Sequence, residues 1–130
     1  FQAEDGIRDG PQCLVGSEMC IRDRSIASLR THVDFFSIGT NDLTQYTMAA
    51  GRENPSASEY FIDDHPAILR LIDLVVMESG TKPVSICGEL AGRVVVIPKL
   101  LRSGIRSLSV ASALVPDVKF AVRKIKLKIA

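Results

Sequence analysis

Two short segments constrain this chain more than anything else in it. Residues 34–47 read Asp-Phe-Phe-Ser-Ile-Gly-Thr-Asn-Asp-Leu-Thr-Gln-Tyr-Thr, and residues 83–92 read Pro-Val-Ser-Ile-Cys-Gly-Glu-Leu-Ala-Gly. Each is a brief apolar run that breaks abruptly into glycine and polar groups. In a parallel α/β sheet or barrel, such breaks lie at the carboxyl ends of the strands, where active-site residues gather. The first break offers an amide and a carboxylate, Asn41 and Asp42. The second offers a thiol and a carboxylate, Cys87 and Glu89. That set suits an anionic substrate held by a divalent metal, with a proton donor close by.

The elements between these breaks follow one pattern. Val33 to Ile38 is a short, mostly apolar run ending at Gly39, expected to be a buried strand. Leu43 to Ala50 is expected to form a short helical turn, and Arg52 to Asp64 a polar loop. Pro66 suits the first turn of a helix, with Asp64 as its expected cap. Ile68, Leu69, Ile72, Val75 and Val76 then line one helical face, and Gly80 stops it. Val84 to Ile86 forms the second strand, which ends at Cys87-Gly88. A helix is expected around 94–102; Pro98 must lie in its first turn, which bars a start much before Val95. Gly104 closes it, and Ile105 to Val110 is the third expected strand. Pro116 opens a last helix whose end carries Lys119, Arg123, Lys124, Lys126 and Lys128, cations that favour the helix dipole.

Strands near 33–38, 84–87 and 105–110 with helices between make a βαβαβ pattern, with a parallel sheet and right-handed crossovers expected. Three parallel strands cannot close a barrel. The chain therefore reads as α/β, either half of a doubly wound domain or the last part of a (β/α)8 barrel. No glycine-rich dinucleotide or phosphate loop is present.

Composition excludes several classes of function. The chain has 130 residues, room for one domain, and at 46% hydrophobic and 24% charged it is ordinary for a globular protein. Its net charge of +1 and lack of Trp argue against a nucleic-acid partner or an anionic membrane surface. No apolar run approaches the roughly 20 residues of a membrane span. Three cysteines without metal spacing fit a reduced, cytoplasmic setting.

Residues 1–24 stand apart. Ile-Arg-Asp occurs at 7–9 and again at 21–23, and Gly6, Gly10, Pro11 and Gly16 would break any element. The segment holds five acids and three bases, a net −2, which leaves +3 on the remaining 106 residues. It resembles translated sequencing adapter. We expect an artefactual, disordered leader, and residues 25–130 as the part that folds. A redox pair of Cys13 with Cys20 is the alternative; nothing around either thiol favours it.

Over residues 33–126 the chain resembles the C-terminal end of the phosphoenolpyruvate-utilising enzymes. The resemblance covers about three-quarters of the sequence and rests on the two motifs quoted above. Arg106-Ser-Leu-Ser-Val followed by Pro116-Asp-Val-Lys is a softer third match. Within the family, the wording at 83–92 and the Tyr46 ending fit the Enzyme I branch, the phosphoenolpyruvate–protein phosphotransferases, better than pyruvate phosphate dikinase or phosphoenolpyruvate synthase. The resemblance implies about three βα units from the C-terminal portion of a (β/α)8 barrel, incomplete as given. It implies Mg²⁺ as cofactor with Asp42 as a metal ligand, chemically apt because a hard cation prefers carboxylate oxygen and bridges to phosphate. It implies that Asn41 and Arg52 bind the substrate phosphate, Arg52 as a bidentate clamp. It implies that Cys87 is the catalytic acid that protonates the enolate carbon.

The implied reaction moves the phosphoryl group of phosphoenolpyruvate to an enzyme histidine and then to a histidine-containing phosphocarrier protein. It would serve a sugar or nitrogen phosphotransferase system, in a parent enzyme that dimerises through this domain. The alternatives are a non-catalytic truncated product or a module that senses phosphoenolpyruvate or an oxo acid. Each residue also has a plainer reading. Asn41-Asp42 could be a helix cap or turn pair, Cys87 a small buried hydrophobe, and Arg52 a solvated charge. Glu89 is given no direct role, His65 is read as a helix-start residue and His32 as surface. Two departures from the family pattern stand out: Gly51 replaces an acid before Arg52, and Arg93 replaces an acid after Gly92.

Overall fold

The computed structural model describes residues 26–51 and 54–125. The expectations placed on residues 1–24, on Cys13 and Cys20, on Arg52, and on Lys126 and Lys128 fall outside these residues.

A one-turn helix α1 (Ile26–Leu29) leads into strand β1 (Phe36–Gly39), and helix α2 (Thr40–Met48) continues from it without a break. After a 3-10 turn at Ser58–Tyr60 come helix α3 (Pro66–Ser79) and strand β2 (Val84–Cys87). A second 3-10 turn (Glu89–Gly92), helix α4 (Ile97–Arg102), strand β3 (Ser107–Leu108) and helix α5 (Val115–Lys124) complete the order. The strands form one sheet in the order β1-β2-β3, parallel throughout, with Phe36 opposite Val84, Gly39 opposite Cys87, and Ser85 opposite Ser107. This is a mixed α/β fold, consistent with part of a β/α barrel.

The strands bury alternate residues because strand side chains point to opposite faces. Phe36, Ile38, Val84 and Ile86 enter the main core, where they meet Leu43 of α2, Ile68, Ile72 and Val75 of α3, and Leu90, Val96 and Leu100 beyond β2. Ser37, Gly39, Ser85 and Cys87 occupy the other face and are only partly buried. In a closed barrel the face turned away from the helices lines the interior.

Local chemistry sets the helix ends. Pro66 lies in the first turn of α3 as expected, but the cap is His65, whose Nδ1 accepts from the Ala67 N–H at 3.2 Å. Asp64 is drawn off instead to an ion pair with Arg93. Gly80 closes α3 with φ of 64°, a value that favours glycine. Helix α4 starts at Ile97, just ahead of Pro98, as the missing proline N–H requires. Strand β1 begins at Phe36 rather than Val33. Strand β3 keeps two residues of the expected six, because it lies at the sheet edge and pairs only with Ser85 and Ile86. No helix among the described residues is long and apolar enough to cross a membrane.

Candidate functional site

The parallel register brings the two sequence motifs to one place. Gly39 and Cys87 are the last residues of β1 and β2 and lie directly opposite each other. The chain therefore leaves both strands at the same sheet edge. Helix α2 starts at once after β1, so Asn41 and Asp42 sit in its first turn rather than in the loop that a helix starting at Leu43 would allow. The 3-10 turn Glu89–Gly92 leaves β2 and packs against α2.

Polar links fix this junction. The buried Thr40 hydroxyl donates to the Cys87 carbonyl at 2.9 Å. The Asn41 side-chain oxygen accepts from the Glu89 backbone N–H at 3.1 Å. That bond identifies the oxygen end of the carboxamide and leaves its NH2 group as the donor end. Gly88 lies between the two with φ of 101° and ψ of −178°. A Cβ there would stand 2.5 Å from Thr40 Oγ1 and 3.1 Å from Asn41 Oδ1. Glycine is thus required twice, by its backbone and by the close approach of the β1 exit.

The Cys87 thiol is partly buried on the sheet face away from the helices, and it is a free thiol. It contacts the Ile38 carbonyl at 3.5 Å, and the Ser37 hydroxyl lies 3.9 Å from the sulfur. It is thus only partly buried, with polar neighbours on the sheet face. Neither Asn41 nor Asp42 is a cap: the N-cap of α2 is Gly39, and no side chain caps it. The first-turn N–H groups of such a helix suit an anion. Asp42 is exposed, in a first turn where the helix dipole favours a carboxylate.

No group of three His, Cys, Asp or Glu residues among the described residues could hold a metal ion by itself. Asp42 supplies one carboxylate. That fits Mg²⁺, which keeps several waters and is bound through one or two carboxylates together with substrate phosphate. The remaining protein ligand would have to come from elsewhere.

A link that the sequence did not reveal closes the junction on its outer side. The Arg93 guanidinium bonds Asp63 through Nη1 and approaches Asp64 Oδ2 at 3.5 Å through Nη2. The position of Arg93 just after a strand-exit turn was the available signal, but its partners lie 30 and 29 residues away. A cavity of about 390 Å³ between α4, β3 and α5 is lined by Leu101, Arg106, Leu108, Val118, Lys119, Val122 and Arg123, none of them a residue of this junction.

The profile of the family described as "PEP-utilising enzyme, PEP-binding domain" matches residues 18–127. This chain belongs to that family. The match starts inside the segment set apart by its composition. The chain is 40% identical over 123 residues to a phosphoenolpyruvate-protein phosphotransferase of Bacillus subtilis (strain 168), covering 93% of this chain and 21% of that protein. It is 36% identical over 127 residues to multiphosphoryl transfer protein 1 of Escherichia coli (strain K12), covering 93% of this chain and 15% of that protein. It is 38% identical over 104 residues to a probable phosphoenolpyruvate synthase of Methanocaldococcus jannaschii, covering 78% of this chain and 9% of that protein. The chain thus spans about a fifth or less of these curated relatives. Family membership favours the barrel over the doubly wound alternative.

Proposed function

We propose that this chain forms the C-terminal part of the phosphoenolpyruvate-binding barrel of a phosphoenolpyruvate–protein phosphotransferase. The observation that carries the reading is the register of Gly39 with Cys87, which sets Asn41, Asp42 and the thiol around one sheet edge. The naming of one relative as a phosphoenolpyruvate-protein phosphotransferase and of another as a multiphosphoryl transfer protein supports it.

In this reading Asp42 would hold Mg²⁺ for this chain, and the bound ion would supply charge neutralisation at the substrate phosphate. Asn41 donates through its NH2 group to a phosphate oxygen, held in place by the Glu89 amide. Arg52, outside the described residues, clamps the same phosphate. The bond between phosphorus and the enol oxygen breaks as a bond to histidine nitrogen forms. The enolate left behind takes the Cys87 proton at carbon, giving pyruvate, and the thiolate regains its proton from water. Cys87 faces the side of the sheet that a closed barrel would turn inward, where the substrate would lie.

The accepting histidine belongs to another part of the parent enzyme. His65 is engaged in capping α3, and His32 is exposed on the turn after α1. The phosphoryl group then passes to a histidine-containing carrier protein of a sugar or nitrogen phosphotransferase system. The parent enzyme is cytoplasmic and dimerises through this domain.

A hybrid tests the reading. Residues 26–125 replace the matching segment of the Bacillus subtilis relative, and phosphorylation of the hybrid by phosphoenolpyruvate with Mg²⁺ is monitored. Labelled phosphohistidine is the expected result, lost in Asp42→Ala. A soluble, folded hybrid that never acquires phosphate would overturn the proposal.

A further inference from the structure

Arg93 lies immediately after the Glu89–Gly92 turn, and its guanidinium engages two successive carboxylates from the segment that leads into α3. The Asp63 side chain is only 15% exposed, against 35% for Asp64 and 41% for Arg93. Two neighbouring carboxylates turned to the same side repel each other, and the more buried one is costly to leave without a partner. A single planar guanidinium answers both, because its fork presents donors in two directions. The contact therefore spans two strand exits: the segment descending from β1 through α2 toward α3, and the turn that comes after β2.

That turn also holds the site. Its first amide, Glu89 N–H, is the donor that orients the Asn41 carboxamide at 3.1 Å. Leu90 and Ala91 are fully buried and set the depth of the turn. Val94 and Val95, just beyond Arg93, are 44% and 73% exposed and add little packing. Leu114 packs over Gly92 and the buried Val96 anchors the chain beyond it, and Arg93 adds the polar tie to the segment ahead of α3. We propose that Arg93 is a positioning residue: by clasping Asp63 and Asp64 it pins the Glu89–Gly92 turn and, through the Glu89 amide, the Asn41 carboxamide. Its effect on catalysis rests on the phosphoenolpyruvate reading given above; the mechanical link does not.

Two measurements test it separately. The first is amide hydrogen exchange on the 130-residue chain. Arg93→Ala should speed exchange at Glu89 about tenfold, as expected for loss of one charge-assisted contact, with the Ile72 and Ile86 amides unchanged. Asp63→Asn combined with Asp64→Asn should have the same effect, and adding Arg93→Ala to that pair should change little further. Unchanged exchange at Glu89, equal acceleration of the core amides, or additive effects would each overturn the proposal. The second is the kinetics of the hybrid enzyme. Arg93→Ala should raise KM for phosphoenolpyruvate about tenfold with kcat unchanged, because the phosphate contact of Asn41 loosens while Cys87 stays anchored in β2. A fall in kcat at unchanged KM contradicts it. If the unsubstituted hybrid takes no phosphate, the functional reading fails, and the exchange measurement still decides the role of Arg93.

Discussion

Gly88 is the residue on which the site most directly turns. It occupies a backbone region open essentially to glycine alone, and any Cβ would collide with Thr40 and Asn41. Gly88→Ala should destabilise the fold by about 1–3 kcal/mol, the usual range for such strain, and displace Asn41 from the Glu89 amide. Urea denaturation and the exchange rate of that amide would show both effects; an unchanged midpoint would mean that the β1 exit yields freely. Asp42 and Cys87 should fail in different ways in the hybrid enzyme. Asp42→Ala removes the carboxylate assigned to Mg²⁺ and should abolish metal-dependent substrate binding along with turnover. Cys87→Ala leaves the phosphate contacts intact, so substrate still binds while pyruvate release slows by about 10²–10⁴, the common worth of a placed acid. Calorimetry beside steady-state kinetics separates the two. Full turnover in the Cys87 variant would make the thiol a packing residue.

The elements behave as their periodicities require, and α3 gives Ile68, Ile72 and Val75 to the main core. Ile68 and Ile72 are fully buried on its inner face, whereas Met77 is 67% exposed. Ile72→Ala should therefore cost about 2–5 kcal/mol, combining lost transfer energy with a cavity the close-packed surroundings cannot fill. Met77→Ala should stay within about 0.5 kcal/mol. Thermal unfolding of the two variants checks the assignment of the inner face; equal losses would mean that the helix is rotated. Strand β3 shows the opposite case. Its sequence supports a longer run, but only Ser107 and Leu108 find partners on β2. A strand is defined by its neighbour as much as by its own residues, and β3 has a neighbour on one side only among the described residues.

At the scale of the whole molecule, the question is what these residues can do alone. Among the described residues the sheet has three strands and two open edges, with a half-buried polar face bearing Cys87. Such edges recruit other strands. The purified 130-residue chain, mixed with phosphoenolpyruvate and Mg²⁺, should form no phosphohistidine at a catalytic rate and should self-associate as its concentration rises. Radiolabel transfer and light scattering measure the two outcomes; rapid labelling of a monomer would contradict both. We further propose that residues 1–24 contribute nothing to the fold. Their deletion should leave the melting temperature unchanged, and a clear drop on deletion would tie them to the domain instead.

Much of this was legible without coordinates. Apolar runs at 36–38 and 84–86, the helical spacing from Ile68 to Val75, and Pro66, Gly80, Pro98 and Gly104 at the helix ends are local signals, set by side-chain period and backbone restriction. They located all three strands to within three residues at each end, with β3 shorter than expected. The wording of the two strand exits was specific enough to indicate the family. Tertiary structure decided what local signals cannot carry. Register alone put Gly39 beside Cys87, and with it Asn41 beside the Glu89 amide. The α3 cap is His65 rather than Asp64, because the helix begins at Pro66 and the residue directly before it holds the N-cap, while Asp64 pairs with Arg93 across the fold. Those contacts join residues 29 to 48 apart in the chain, and no helical or strand period reaches that far.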